Sequence, residues 1–217
     1  MKKQLTKLAL TVALGLAITF TFTACEEKEK KQDGTKPQET ASETATAEAN
    51  GGTFTDPRDK KTYKTVKIAE QIWMAENLNY EVGGSMCYDN DPANCQTYGR
   101  LYDYETAIKA CPSGWHLPNT TEWQTLVDFA GGDKNAGKAL KATSGWNDNG
   151  NGTDKFGFTT LPGGKMECRD GCDFYNVGSS SEWVNVIIYA NDRVLIDEPD
   201  LPDKGNGASF SVRCIKD

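Results

Sequence analysis

The chain has 217 residues, a formal charge of −7, seven cysteines and a single histidine. Charge divides as +3 over residues 1–24, −3 over 25–52 and −7 over 53–217, so nothing basic enough to take nucleic acid is present. With no C-x-x-C pair and only His116 to add a nitrogen ligand, the competing zinc reading of the cysteines ranks below disulfides.

Read from the N-terminus, Lys2, Lys3 and Lys7 precede an apolar run from Leu8 to Phe22. Fifteen helical residues rise about 22 Å, short of the roughly 30 Å hydrocarbon layer, which is the pattern of a secretory signal rather than a span. The run ends in Phe22-Thr23-Ala24-Cys25, which resembles the lipobox of bacterial lipoproteins, with phenylalanine where leucine is commoner. Lipidation of Cys25 also leaves six cysteines, an even number, in an exported chain. The expectation is a signal peptide over 1–24 and a membrane anchor at Cys25, carrying more than one acyl chain (palmitate among them), because one chain alone binds weakly. The expected location is the cell envelope, on the outer membrane or cell surface.

Residues 25–52 are Glu, Lys, Thr, Ala, Gln and Ser with Pro37 and no large apolar side chain. Such a segment buries too little apolar surface to offset its ordering entropy, and it reads as a disordered acidic linker.

Residues 53–217 make one domain with all five tryptophans. The pattern predicts an α+β fold with two or three helices and short antiparallel strands. Tyr63 to Ile68 and Ile72 to Met74 form a predicted hairpin. Arg100 to Ala110 reads as a helix. A second helix starts at Asn119, which can cap it while Glu122 bonds back, and continues through Trp123, Leu126, Val127 and Ala130 to Gly131-Gly132. A short helix follows around Ala136 to Ala142. Strands are predicted at Phe156 to Leu161, Val184 to Tyr189, Arg193 to Ile196 and Ser209 to Ile215.

Six cysteines allow 15 pairings, and sequence alone does not choose among them. Turn-rich runs separate Cys87 from Cys95 and Cys168 from Cys172, favouring two local bridges and leaving Cys111 with Cys214.

Several segments, taken together, resemble a known family. They are Lys67-Ile68 with Gln71-Ile72-Trp73-Met74-Ala75-Glu76-Asn77-Leu78-Asn79-Tyr80, Tyr98-Gly99-Arg100-Leu101-Tyr102, Cys111-Pro112-Ser113-Gly114-Trp115-His116-Leu117-Pro118, Gly152-Thr153-Asp154 with Phe156-Gly157-Phe158, Leu161-Pro162-Gly163-Gly164, and Ser211-Val212-Arg213-Cys214. From Asp56 to Asp217 the chain looks like the FISUMP family, the major paralogous domain of Fibrobacter succinogenes. That resemblance implies a C-type-lectin-like fold, shared with formylglycine-generating enzymes, in which a cysteine near the first helix is bridged to the last strand; this supports Cys111–Cys214. It implies a surface recognition or adhesion role and no activity. One departure is that Asn176-Val177-Gly178 precedes Ser179-Ser180-Ser181-Glu182, where the family usually carries tryptophans.

The candidate ligand face is set by loops rich in Asn, Gly and aromatic residues: Trp146, Tyr175 and Trp183 are expected to stack on a glycan or contact a protein. Asn147, Asp148, Asn151 and Asp154 form a candidate calcium loop, the one cofactor considered. An EF-hand reading of that loop fails because Phe158 stands where a glutamate is needed, and a self-hydrogen-bonded Asx loop is the stronger reading. Trp146-Asn147-Asp148 and Glu198-Pro199-Asp200 look like the calcium motifs of sugar-binding C-type lectins in reversed order, which is read as chance. His116 has no nucleophile partner and reads as a hydrogen-bonded core residue. The expectation is a non-enzymatic envelope binding module. An enzyme of the formylglycine-generating type and a purely structural envelope protein are the alternatives.

Overall fold

The structure, a computed structural model, describes residues 51–168, 170–196 and 207–217. The signal segment, Cys25, nearly all of the linker and Glu198-Pro199-Asp200 lie outside these residues. In chain order the elements are β1 (Gly52–Thr55), β2 (Thr62–Ile68), β3 (Gln71–Met74), β4 (Ser85–Met86), a 3-10 turn at Tyr88–Asn90, α1 (Pro92–Tyr98), β5 (Leu101–Asp103), α2 (Tyr104–Ala110), β6 (Trp115–His116), α3 (Thr120–Phe129) and α4 (Ala136–Leu140). The second half is β-rich: β7 (Lys165–Cys168), β8 (Cys172–Tyr175), β9 (Ser180–Trp183), β10 (Val186–Tyr189), β11 (Val194–Ile196), β12 (Ser209–Ser211) and β13 (Ile215–Lys216).

The predicted hairpin is present as β2 and β3, with Val66 opposite Trp73. Gly52, placed in the linker by composition, starts β1 instead, which pairs antiparallel with β2. β3 then pairs with the last strand, giving one sheet ordered β1-β2-β3-β13-β6. Period-2 alternation sends Val66, Ile68, Trp73 and Ile215 into one apolar cluster and Tyr63 and Met74 into another. The second sheet runs β11-β10-β9-β12-β5-β4, with the β7–β8 hairpin attached through β12.

Helix α3 has the predicted capping box: Glu122 N donates to Asn119 Oδ1 at 3.0 Å and Asn119 N to Glu122 Oε2 at 2.8 Å. It buries Trp123, Leu126 and Val127. Trp123 packs on Trp73 at 4.9 Å and on Trp183 at 5.1 Å between ring centroids, with Phe158 edge-on to all three.

Three predicted elements are corrected and one helix is added. Arg100 to Ala110 is not one helix: Leu101 and Tyr102 pair with β12, and only at Asp103, whose carboxylate accepts from Thr106 N, does α2 begin. The run after Asp89 holds an unforeseen helix, α1, capped by Asp91 with Pro92 at its start. Phe156 to Leu161 forms no strand, because Asp154 accepts from Thr159 N and Oγ1 and closes a loop there, while Phe156 and Phe158 reach the core. Ser209 to Ile215 is split between the two sheets, so Val212-Arg213-Cys214 is the crossing between them.

The three bridges are Cys87–Cys95, Cys111–Cys214 and Cys168–Cys172. The second joins residues 103 apart and ties the end of α2 to the crossing.

Candidate functional site

Two of the three expected stacking residues are interior. Trp146 is 6% exposed and Trp183 2%. Trp146 Nε1 donates to Thr160 O at 3.0 Å, and the buried Lys141 ammonium lies 4.7 Å from its ring. Trp183 Nε1 donates to Asn77 Oδ1 at 3.2 Å. Both indoles found buried acceptors, so neither face is free for a sugar. Tyr175, 41% exposed, is left alone at the end of β8.

The candidate calcium loop is committed to itself. Asn151 Oδ1 accepts from Trp146 N at 3.0 Å, and both oxygens of Asp154 accept from Thr159 at 2.7 Å. Asn147 lies against Gly178, taking its carbonyl through the backbone at 2.8 Å. Asp148 turns the chain with φ +54°. Among the described residues no group of three His, Cys, Asp or Glu side chains is placed to hold a metal. Asn151 and Asp154 instead bond across the loop to residues five positions away.

His116 is hydrogen-bonded but half-buried rather than in the core. Nδ1 lies 2.7 Å from Asp217 Oδ1 and Nε2 2.8 Å from Glu122 Oε1, tying the C-terminus to the start of α3. Desolvation opposes its charging, but the hydrogen bonds to the two carboxylates outweigh it and raise its pKa above the usual value.

A cleft of about 290 Å³ opens between β2, the segment after β3 and α1. One wall is the start of β2 with Lys61 and Lys64; the next is residues 75–79, held by Ala75 N to Lys64 O and Lys64 N to Glu76 Oε2 at 2.8 and 2.7 Å. The C-terminus of α1 closes the third side. Asn77 Nδ2 donates to Tyr98 O at 2.9 Å, and Arg100 N to Leu78 O at 3.0 Å. The approach is close enough to require glycine: at Gly99, φ +79°, a Cβ would sit 2.8 Å from Asn77 Cβ and Leu78 O.

Arg213, in the crossing between the sheets, lines this cleft and is 1% exposed. Its Nε donates to Asn77 Oδ1 at 3.0 Å and its Nη1 to Met74 O and Phe158 O at 3.1 and 2.7 Å. The guanidinium also faces the Phe158 ring at 4.7 Å. Desolvation pushes its pKa down to about 9, with the fields of Glu76 and Asp154 acting the other way. No described carboxylate forms an ion pair with it.

The sequence reading names none of the cleft residues as a ligand site, although several of them lie in its motifs. Ala75 to Asn79, Tyr98-Gly99 and Arg213 belong to three of the motifs that carry the family resemblance, and the fold brings those three together. A family model, the Fibrobacter succinogenes major domain, matches residues 66–216. The chain belongs to this family. No curated protein and no solved structure matches it. Within this major domain the matched span contains the crossing, α1 and the segment after β3, so every cleft wall except Lys61 to Lys64 falls inside it.

Proposed function

We propose that this chain is a non-enzymatic recognition module of the cell envelope, tethered through a lipid on Cys25 and the acidic linker, and that the cleft floored by Arg213 takes its ligand. The observation that carries this reading is the cleft's lining: amides and hydroxyls from Asn79, Gln96, Thr97 and Thr159, with Tyr98 beside them, over a buried guanidinium. Its volume lies at the lower end of ligand pockets, roughly 300–1,000 Å³, which are usually more apolar. A lining of amides and hydroxyls matches the hydroxyl groups of a glycan better than the side chains of a peptide.

Three disulfides agree with an exported domain. A C-type-lectin-like fold is supported by the Cys111–Cys214 bridge and by β6 leading through Leu117-Pro118 into α3. The test is a glycan array probed with the full chain in detergent, alongside Asn79→Ala and Lys64→Gln. Binding that both substitutions weaken is the expected result. A ligand bound equally by all three proteins removes the cleft from the reading, and a blank array removes glycan recognition.

A further inference from the structure

We infer that the ligand of this cleft is an acidic saccharide whose carboxylate is received by Arg213 and Lys64, an inference that rests on reading the cleft as a recognition site. A buried cation is costly unless it is paired. Arg213 is almost wholly buried, yet its acceptors are two carbonyls and an amide oxygen, all neutral. Among the described residues its Nη2 has no hydrogen-bond partner and its charge no ion-pair partner. The guanidinium is therefore held in place by three bonds through Nε and Nη1, with one face of donors left for an acceptor in the cleft.

The surroundings favour a negative one. In a chain of net charge −7, the cleft lining carries Lys61, Lys64 and Arg213 against Glu76 alone. Glu76 is already engaged, accepting from Lys64 N at 2.7 Å. Lys61 is also engaged, with its Nζ 3.5 Å from Asp59 and bonded to Asn79 O. Lys64 is exposed and has no ion pair among the described residues, so its ammonium is the rim cation that complements the fixed one beneath. An inner positive charge ringed by Asn79, Gln96, Thr97 and Thr159 suits a sugar acid: the carboxylate takes the charge-assisted bonds and the ring hydroxyls take the amides. A neutral glycan would leave the guanidinium as it is now.

The probe is trigalacturonate, compared with its methyl ester by titration calorimetry on the full chain in detergent, at low and high salt. The acid is expected to bind about tenfold tighter than the ester, the equivalent of about 1.4 kcal/mol, and only the acid should weaken with salt. Lys64→Gln should weaken the acid roughly threefold to tenfold, and Glu76→Gln should tighten it. Both positions are exposed, so neither variant depends on the core as Arg213→Lys would. Equal binding of acid and ester, weakened alike by Asn79→Ala, overturns the acidic class and leaves glycan recognition standing. Tight acid binding indifferent to Lys64→Gln and Glu76→Gln places it elsewhere and overturns both. Failure of both probes overturns the inference, and the glycan array then decides the broader reading by itself.

Discussion

Arg213 and Asn77, 136 positions apart in sequence, meet at 3.0 Å through Nε and Oδ1, and that same amide oxygen takes Trp183 Nε1. One small side chain thus joins the crossing between the sheets, the segment after β3 and the core of the second sheet. Its Nδ2 adds α1 through Tyr98 O. Asn77→Ala would strand a buried guanidinium donor, an indole donor and a carbonyl together. It should lower stability by about 3 kcal/mol, read from urea unfolding with an unchanged slope. A loss below about 1 kcal/mol would show that water or local rearrangement replaces the amide.

The bridges should rank by the chain they close. Cys111–Cys214 spans 103 residues and Cys168–Cys172 only 4. In the chain-entropy model these are worth about 4.7 and ~2 kcal/mol. Calorimetry of the Cys111→Ala/Cys214→Ala and Cys168→Ala/Cys172→Ala double variants should give a clearly larger drop in Tm for the first pair. The reverse order would contradict the loop-length account.

His116 makes stability depend on pH with a definite sign. Its pKa is raised in the folded state, so its contribution is complete below the ordinary value near 6.5 and is lost as pH rises through the raised one. The melting temperature should therefore fall across that window. In His116→Gln the fall should be flatter, since the replacement does not titrate. An identical slope in the two proteins would assign the pH dependence to other groups.

The loop around Asn151 and Asp154 holds itself together through Trp146 N and Thr159. Asp154→Ala should cost about 1–3 kcal/mol in EDTA and in millimolar calcium alike. The wild-type melting temperature should be the same in both. A calcium-dependent rise of several degrees in the wild type, absent from the variant, would restore the metal reading of this loop.

The proposed anchoring turns on Cys25. Cys25→Ser should leave the chain unprocessed or released from membranes, followed by metabolic acyl labelling and fractionation. Retained acylation and wild-type processing would assign the lipid to another residue.

What the sequence determined by itself was whatever rests on neighbouring residues. The β2–β3 hairpin shows in alternation over a few positions, and α3 in Asn119, Glu122 and the apolar spacing that follows. Turn-rich runs favour two local bridges, but the pairing of all six cysteines is decided only in the folded chain. What only the tertiary structure decided depends on partners distant in the chain. Ser209 to Ile215 carries one strand-like pattern, yet β12 pairs with β5 and β9 while β13 pairs with β3 and β6, so the segment breaks at Arg213. Trp146 and Trp183 stand in segments that read as loop and strand end, and nothing local distinguishes a ring that stacks on ligand from one that finds Thr160 O or Asn77 Oδ1 in the core. The cleft has the same origin. Its walls come from β2, the segment after β3, α1 and the crossing, and the burial that leaves Arg213 without a carboxylate among the described residues exists only once all four have packed.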